Sequence, residues 1–232
     1  MKLTILGCNG PYPAAGGACS GYLLEAGDTR VLLDCGAGTL AALTARMAPE
    51  QLSAVVLSHL HYDHMSDMLP LIYRMQGKGK LPVYAPGAPA EVRALLAGAF
   101  DLRDLEHAEH IGALTLSVLP VRHPVPCYAV RYTAGGKSFC YTGDTNTCDG
   151  LPAWARDCDL LLADACFTDA QWAENKPHLS ARLAARMARD AGAKRLVLTH
   201  FTPGTDQAEL LSQAREVYPE ALLAHPGLEL EF

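Results

Sequence analysis

The sequence lacks any long hydrophobic run, and no stretch reaches the about 18 apolar residues that a membrane-spanning helix needs. Its start, "MKLTILGCNGPYPAAGG", does not combine a positively charged beginning with a continuous apolar segment, so no secretory signal peptide is predicted. Charge blocks, internal repeats and low-complexity linkers are also missing. We therefore expect a cytoplasmic protein in which residues 1–232 form a single domain.

The eight cysteines contain no CxxC pair, and several lie inside apolar runs such as "KSFCYTGD". In a reducing compartment this pattern indicates small buried side chains rather than disulfides or a structural zinc site. Excess positive charge is missing too, because 19 lysines and arginines face 25 aspartates and glutamates, a net charge of −6. Extensive binding to nucleic acid would therefore need a local basic patch.

What the chain does contain is enough apolar material for a large core, since half of its residues are hydrophobic. Short apolar stretches such as "KLTILG", "YAVRYTAGGKSFCY" and "KRLVLTH" predict strands. Segments such as "DMLPLIYRMQ" and "SARLAARMARDAGA" predict helices, the second with Ser180 as its N-cap and Gly192 near its end. Strands and helices mixed in this order are typical of a layered α/β protein.

The stretch "VVLSHLHYDHMSDM" places three histidines and an aspartate within six residues, directly after an apolar strand. Neutral imidazole and carboxylate are the groups that hold zinc and similar divalent ions. His59 and His61 are two residues apart and point the same way in an extended segment, so they can bind one ion. Asp63 and His64 then turn toward a second ion. The alternative, polar residues in an ordinary turn, is what an isolated histidine would suggest.

Two further ligand-type residues also follow apolar strands, Asp144 after "SFCYTG" and His200 after "RLVLT". In open α/β sheets, functional side chains gather beyond the carboxyl ends of the strands. We therefore expect His59, Asp144 and His200 at one edge of the sheet. Asp144 can be the carboxylate shared by two ions about 3.5–4 Å apart, with a shared water acidified to act as the nucleophile.

These residues resemble a known family. "SHLHYDH" is similar to the signature of the metallo-β-lactamase superfamily, and "LLDCGAG", "VRHPVPCYAV", "YTGDT", "PHLS" and "LTHF" extend the resemblance over nearly the whole chain. The resemblance implies a four-layer αβ/βα sandwich with a dinuclear metal site between its two sheets. Within the superfamily the set resembles the ribonuclease Z-like phosphodiesterase branch.

The resemblance also implies a set of metal ligands, matched position by position. One ion is expected on three histidines: His59, His61 and His123. The other is expected on Asp63, His64 and His200, with Asp144 bridging the two. The cofactors are thus two divalent ions, zinc in preference to manganese or iron because imidazole dominates the ligands.

Three residues have expected roles beyond simple ligation. Asp34 of "LLDCG" matches a carboxylate that supports the histidine cluster from outside. His178 of "PHLS" matches a histidine that acts on the scissile phosphate or the leaving group without binding metal. Its alternative is the flank of a helix with no chemistry. Asp63 and His178 are taken as the catalytic residues, and His107, His110 and His225 match nothing in the family pattern.

Several missing features narrow the reaction. The "GHTPG" motif of thioesterase-like members is absent around His123. Position 61 is a histidine and not the glutamate of diiron members. Zinc β-lactamases usually lack a bridging aspartate, whereas this chain has Asp144. The long arm that clamps transfer RNA between the third histidine and the bridging aspartate is absent, as is the Pro-x-Lys-Thr loop. We therefore expect hydrolysis of a small phosphodiester or nucleotide, with no membrane partner and with nucleic acid as the less favoured substrate. A homodimer is a further implication of the family.

Three alternatives remain open at this point: a carboxylic ester or lactone hydrolase on the same site, a transfer-RNA 3′-processing endoribonuclease, and a non-enzymatic binding module. Basic residues Arg74, Lys78, Lys80 and Arg122 could contact phosphate, but a solvated loop explains the lysines equally well. None of them is counted as a site residue.

Overall fold

Fourteen strands form two mixed sheets of seven, and the computed structural model describes all residues from 1 to 232. The first sheet has the order β14-β1-β2-β3-β4-β5-β6, built from β1 Lys2–Gly7, β2 Gly21–Ala26, β3 Thr29–Leu33, β4 Ala54–Val56, β5 Pro82–Ala85, β6 Asp101–Asp104 and β14 Glu229–Glu231. The second has the order β13-β12-β11-β10-β9-β8-β7, built from β7 His110–Ile111, β8 Leu114–Pro120, β9 Tyr128–Ala134, β10 Lys137–Tyr141, β11 Leu160–Asp164, β12 Leu196–Thr199 and β13 Leu222–Leu223.

Seven α-helices accompany the sheets. Their bounds are α1 Thr39–Thr44, α2 Tyr62–Met65, α3 Met68–Arg74, α4 Ala90–Ala94, α5 Leu151–Trp154, α6 Ala181–Asp190 and α7 Gln207–Arg215. The predicted cap of α6 is present, because the Ser180 side chain accepts a hydrogen bond from the backbone N–H of Leu183. None of the helices has the length and apolar character that crossing a membrane requires.

Alternation along the strands of the first sheet separates two apolar cores. Tyr22 and Leu24 of β2 face the larger core, which both sheets share, whereas Leu23 between them faces the smaller one. The smaller core also contains Leu43 of α1 and Leu71 of α3, so these helices cover the outer face of the first sheet. On the other side, α6 packs on β11 and β12. The resulting order of layers is that of the expected four-layer αβ/βα sandwich.

Both sheets contain a parallel and an antiparallel part. The strands β3 to β6 run parallel in the first sheet, and β10 to β13 run parallel in the second. Because β8 and β10 both pair antiparallel with β9, β8 also ends at the same edge as β10. The carboxyl ends of these strands therefore deliver their following residues to one end of the sandwich.

Candidate metal centre

The predicted ligand residues come together at this end of the sandwich, but they come from two sheets rather than one. His59 follows β4 of the first sheet, whereas Asp144 and His200 follow β10 and β12 of the second. The expectation of a single sheet edge was therefore wrong. The apolar strands β4 and β12 belong to different sheets, and both contribute side chains to the core that the two sheets share. His123 follows β8 and completes the set from the second sheet.

Three histidines form one half of the site, which we call the three-histidine group: His59, His61 and His123. The Nδ1 atom of His61 lies 3.1 Å from Nε2 of His59 and 3.0 Å from Nε2 of His123. In a tetrahedral zinc site with Zn–N distances of about 2.0–2.1 Å, ligand nitrogens are about 3.3 Å apart. The three nitrogens thus have nearly the spacing that a shared ion imposes. His61 and His123 are only half-buried, so this side faces solvent.

Four residues form the other half, which we call the buried group: Asp63, His64, Asp144 and His200. The Oδ2 atom of Asp144 lies 3.3 Å from the Nε2 atoms of both His64 and His200. Oδ2 of Asp63 lies 3.6 Å from Nε2 of His64 and 3.8 Å from Nε2 of His200. All four side chains are buried, and Nε2 of His64 and Oδ1 of Asp144 have no hydrogen-bond partner. Buried polar atoms without partners are costly, and a bound cation would satisfy both.

Asp144 links the two halves. Its Oδ2 atom is also 3.6 Å from Nε2 of His59, so a single carboxylate oxygen reaches histidines of both groups. Burial alone would raise the pKa of Asp144, but the neighbouring imidazoles of His200, His64 and His59 outweigh it and hold that pKa well below its usual range. An ionised carboxylate between two sets of imidazoles has the geometry of a bridging ligand.

Most of the histidines are oriented by an outer partner on Nδ1. Ser58 Oγ lies 3.1 Å from Nδ1 of His59, Ser20 Oγ lies 3.3 Å from Nδ1 of His200, and the Pro177 carbonyl lies 3.2 Å from Nδ1 of His123. Such contacts fix the ring and leave Nε2 directed into the site, as is usual around metal-binding imidazoles. Burial lowers the pKa values of His59 and His200 and brings that of His123 to about 4, which keeps these rings neutral as a metal requires.

Asp34 contacts several of the residues that surround the ligands. Its carboxylate accepts hydrogen bonds from the Ser58 backbone at 2.7 Å, the Ser58 hydroxyl at 2.8 Å and the Tyr141 hydroxyl at 3.0 Å, and it lies 2.8 Å from Nδ1 of His64. Burial alone would lower the pKa of His64, but Asp144 and Asp34 raise it well above its usual value. The backbone of Asp34 has a φ of 57°, a left-handed conformation that aspartate tolerates better than most residues. The structure thus places Asp34 against Ser58 and His64, on the outer side of the ligand cluster, and its supporting role stays a prediction.

His178 lies beside both groups but is held by a different residue. Its Nδ1 atom is 2.8 Å from Oδ2 of Asp164 and 3.8 Å from Oδ2 of Asp144, and its ring stacks on His200 with centroids 4.7 Å apart. Burial alone would lower the pKa of His178, but Asp164 and Asp144 raise it to about 9. Burial raises the pKa of Asp164 to about 6. His178, His123 and Asp144 are also close enough to form a third ligand set, yet Nδ1 of His178 is already engaged by Asp164.

Sequence reasoning missed Asp164, although a signal for it was available. It ends β11 in "LLLAD", between the strands that precede Asp144 and His200, so it obeys the same strand-end regularity. Ser20, Ser58 and Tyr141 were also missed, because a hydroxyl that contacts a ligand from outside has no spacing signature of its own.

Two glycines leave room for the site. A Cβ atom at Gly10 would lie 2.0 Å from the His200 ring, and one at Gly36 would lie 1.9 Å from the carbonyl oxygen of Asp63. Both distances are far inside van der Waals contact, so only glycine fits against these two residues. His107, His110 and His225, which match nothing in the family pattern, are exposed and belong to none of the candidate ligand sets. All eight cysteines are free, and only Cys148 is not fully buried, which confirms the reading of small buried side chains.

Comparison with known proteins identifies the family. The model of the beta-lactamase superfamily domain matches residues 29–201. The probable metallo-hydrolase YhfI of Bacillus subtilis is 36% identical over 229 residues, covering 94% of this chain and 94% of that protein. Ribonuclease Z of Methanopyrus kandleri is 30% identical over 278 residues, covering 98% of this chain and 96% of that protein.

The fold is confirmed by a solved structure. The crystal structure of the metallo-beta-lactamase fold protein YhfI from Bacillus subtilis superposes with a TM-score of 0.94 at 34% sequence identity, covering 100% of this chain and 99% of that chain. The predicted four-layer architecture and the predicted superfamily are therefore both correct. The chain belongs to the metallo-β-lactamase superfamily and is a metal-dependent hydrolase related to YhfI and ribonuclease Z.

Proposed function

We propose that this hydrolase is a phosphodiesterase that acts on a small phosphodiester or nucleotide, with two divalent ions, zinc by preference, held by the three-histidine group and the buried group. The ligand chemistry supports this assignment, because five imidazoles and two carboxylates converge and two of their buried atoms lack any other partner. Two ions held there would neutralise phosphate oxygens and acidify a water into a nucleophile at neutral pH.

His178 is the observation that carries the proposal. Asp164 engages its Nδ1 atom, which leaves Nε2 without a protein partner, and the ring lies beside His200 and His123. The Asp164 carboxylate, 2.8 Å from Nδ1, favours the protonated form of the ring and raises its pKa. A cationic imidazole suits an anionic phosphodiester better than a neutral lactone. It can donate a hydrogen bond to a phosphate oxygen or a proton to the leaving group.

Asp63 has a second proposed role besides ligation. Its carboxylate belongs to the buried group but is slightly more exposed than its partners, at 8%. Burial raises the pKa of Asp63, with His64 opposing that effect. A carboxylate of this kind at the edge of the site can orient an attacking water by accepting its hydrogen bond.

The segment between His123 and Asp144 supports a small substrate. This segment contains only the hairpin of β9 and β10, with Gly135 and Gly136 at its turn, and no arm that could clamp a folded RNA. We therefore favour a small substrate. A cytoplasmic location stays part of the proposal and is independent of this segment. Transfer-RNA 3′ processing is the second candidate, because the similarity to a ribonuclease Z extends over nearly the full length of both chains.

A substrate screen tests the proposal. Purified protein with quantified zinc should hydrolyse bis-(p-nitrophenyl) phosphate and a subset of cyclic nucleotides, and chelator-treated protein should regain this activity when zinc is restored. Lactones, p-nitrophenyl acetate and precursor transfer RNA form the other arms of the screen. Turnover of lactones and esters alone would contradict a phosphodiesterase, and specific cleavage of precursor transfer RNA with no activity on small diesters would favour the second candidate.

A further inference from the structure

A cavity of about 250 Å³ adjoins the metal centre and shares His123 with it. Its other lining residues are Arg122, Pro124, Asn175, Lys176 and Pro177. The lining contains two cations and no carboxylate, in a chain whose net charge is −6. A concave site with convergent positive groups is suited to an anion.

The wall that carries Lys176 is fixed by a buried amide. The Nδ2 atom of Asn146 donates to the Lys176 carbonyl at 2.6 Å and lies 3.3 Å from the Glu174 carbonyl, while its Oδ1 atom accepts from the Trp172 indole at 3.1 Å. Asn146 is fully buried and stands two residues after Asp144. The loop on one side of the cavity is therefore anchored to the same segment that supplies the bridging carboxylate.

Arg122 also lines the cavity, and both its backbone and its side chain are anchored. Its backbone N–H donates to Thr145 Oγ1 at 3.3 Å, its carbonyl accepts from the Asn146 N–H at 3.1 Å, and one guanidinium nitrogen donates to the Glu174 carbonyl at 2.9 Å. A single neutral carbonyl uses one donor of the guanidinium, so the charge and the remaining donors stay available. A guanidinium held this way matches the geometry of a phosphate.

Lys176 brings the second positive charge toward the catalytic side. Its ammonium group lies 5.7 Å from the centroid of the Phe167 ring, and that ring is 5.8 Å from the ring of His178. Aromatic contact holds the ammonium without neutralising it. Neither Arg122 nor Lys176 forms an ion pair with an acidic residue, so the cavity that shares His123 with the metal centre is lined by two cations whose charges are not neutralised.

We propose that this cavity binds a second anionic group of the substrate, so that the preferred substrate is a phosphodiester that also carries a phosphate monoester. The inference rests on the proposed phosphodiesterase function, because the scissile diester must lie at the metal centre for the second group to reach the cavity. Arg122 and Lys176 then act as specificity-determining residues. His123, which belongs to both places, separates the diester from the remote phosphate.

Binding and hydrolysis with matched ligands test the cavity. Thymidine 3′,5′-bisphosphate should bind the zinc-loaded protein about tenfold more tightly than thymidine 5′-monophosphate, as charge-assisted hydrogen bonds to one added phosphate predict. Thymidine 5′-(p-nitrophenyl phosphate) should likewise be cleaved with a higher kcat/KM when it carries a 3′-phosphate. Arg122→Gln and Lys176→Met should each reduce both preferences, and Lys176→Met does so without removing a hydrogen bond that anchors the loop.

Matched controls remove equal charge at the opposite end of the sheet. Lys137 begins β10 and Arg156 precedes β11, so Lys137→Met and Arg156→Gln should keep the preference for the added phosphate. Equal affinity for the two thymidine nucleotides, or an unchanged preference in both cavity variants, would overturn the inference. A preference that depends on Arg122 and Lys176 in a protein that cleaves no diester would support the cavity and refute the proposed reaction. Cleavage of both diesters at equal rates would support the proposed reaction and refute the role of the cavity.

Discussion

The two halves of the metal centre have similar ligands but opposite surroundings. The three-histidine group contains only neutral imidazoles, and two of its three rings are half-exposed. The buried group contains two carboxylates, and Asp34 adds a third contact to His64 from outside. An ion in the buried group would therefore be neutralised by the protein, whereas one on the three histidines would keep more of its charge. We therefore predict a structural role for an ion in the buried group and an electrophilic role for an ion on the three histidines.

Replacing Asp144 is expected to have the largest effect, because it removes the only carboxylate that reaches both halves. Asp144→Ala should reduce hydrolysis to background and lower the zinc content from two ions to one. The chain should still fold, since Asp144 lies on the loop after β10 and outside both apolar cores. Elemental analysis, activity and circular dichroism measure these effects. Asp149→Ala, an exposed aspartate on the same loop, serves as the control, and an unfolded Asp144 variant would show that the carboxylate is structural.

His178→Ala is expected to lower turnover by about 10²–10⁴-fold, the usual range for a positioned acid or base. The metal content should stay intact. Nitrophenolate leaves without a proton, so the loss should be smaller on bis-(p-nitrophenyl) phosphate than on diesters of poor leaving groups if His178 acts as an acid. An equal loss on all diesters would indicate charge stabilisation instead. His225→Ala, in an exposed turn, is the control. Unchanged rates on every diester would remove His178 from the mechanism.

The contrast between the halves can be measured as stability of the metal-free protein. His64→Ala leaves the buried carboxylates of Asp34 and Asp144 without their shared partner, which typically costs about 3–5 kcal/mol. His61→Ala removes a half-exposed ring and should cost about 1 kcal/mol or less. Urea unfolding in the presence of a chelator gives both values. Equal losses in the two variants would mean that burial does not distinguish the two halves.

The smallest effect is expected from the outer contact on His200. Ser20→Ala removes the hydroxyl that lies 3.3 Å from Nδ1 of His200 and leaves the ring itself in place. Partners of this kind typically contribute about 10–100-fold to metal affinity. A zinc competition assay should show weaker binding at one of two positions, and Ser212→Ala on the surface of α7 should show no change. Equally weakened zinc binding at both positions would argue against a three-histidine group and a buried group that bind zinc separately.

The sequence predicted most of the strands and the ligand cluster because both leave short-range patterns. "SHLHYDH" and the polar residues that follow apolar strands are visible within a few positions. Short strands next to prolines have no comparable pattern. One of them, β5 from Pro82 to Ala85, was therefore not predicted.

The outer contacts of the site could not be predicted for a different reason. Ser20 and His200 are 180 residues apart, and Tyr141 and Asp34 are 107 apart, so only the packing of two sheets brings them together. Asp164 combines a short-range pattern with a long-range contact. The strand pattern was visible, but its pairing with His178 depends on the loop that Asn146 anchors.

Zinc titration of the metal-free protein tests the central claim most directly. With a chromophoric chelator as competitor, two equivalents of zinc should bind per chain, because two ligand groups that share Asp144 form two neighbouring positions. The same titration of Asp144→Ala should show one equivalent. A single equivalent in the wild-type protein at saturating zinc would contradict the dinuclear site and, with it, the bridging role of Asp144.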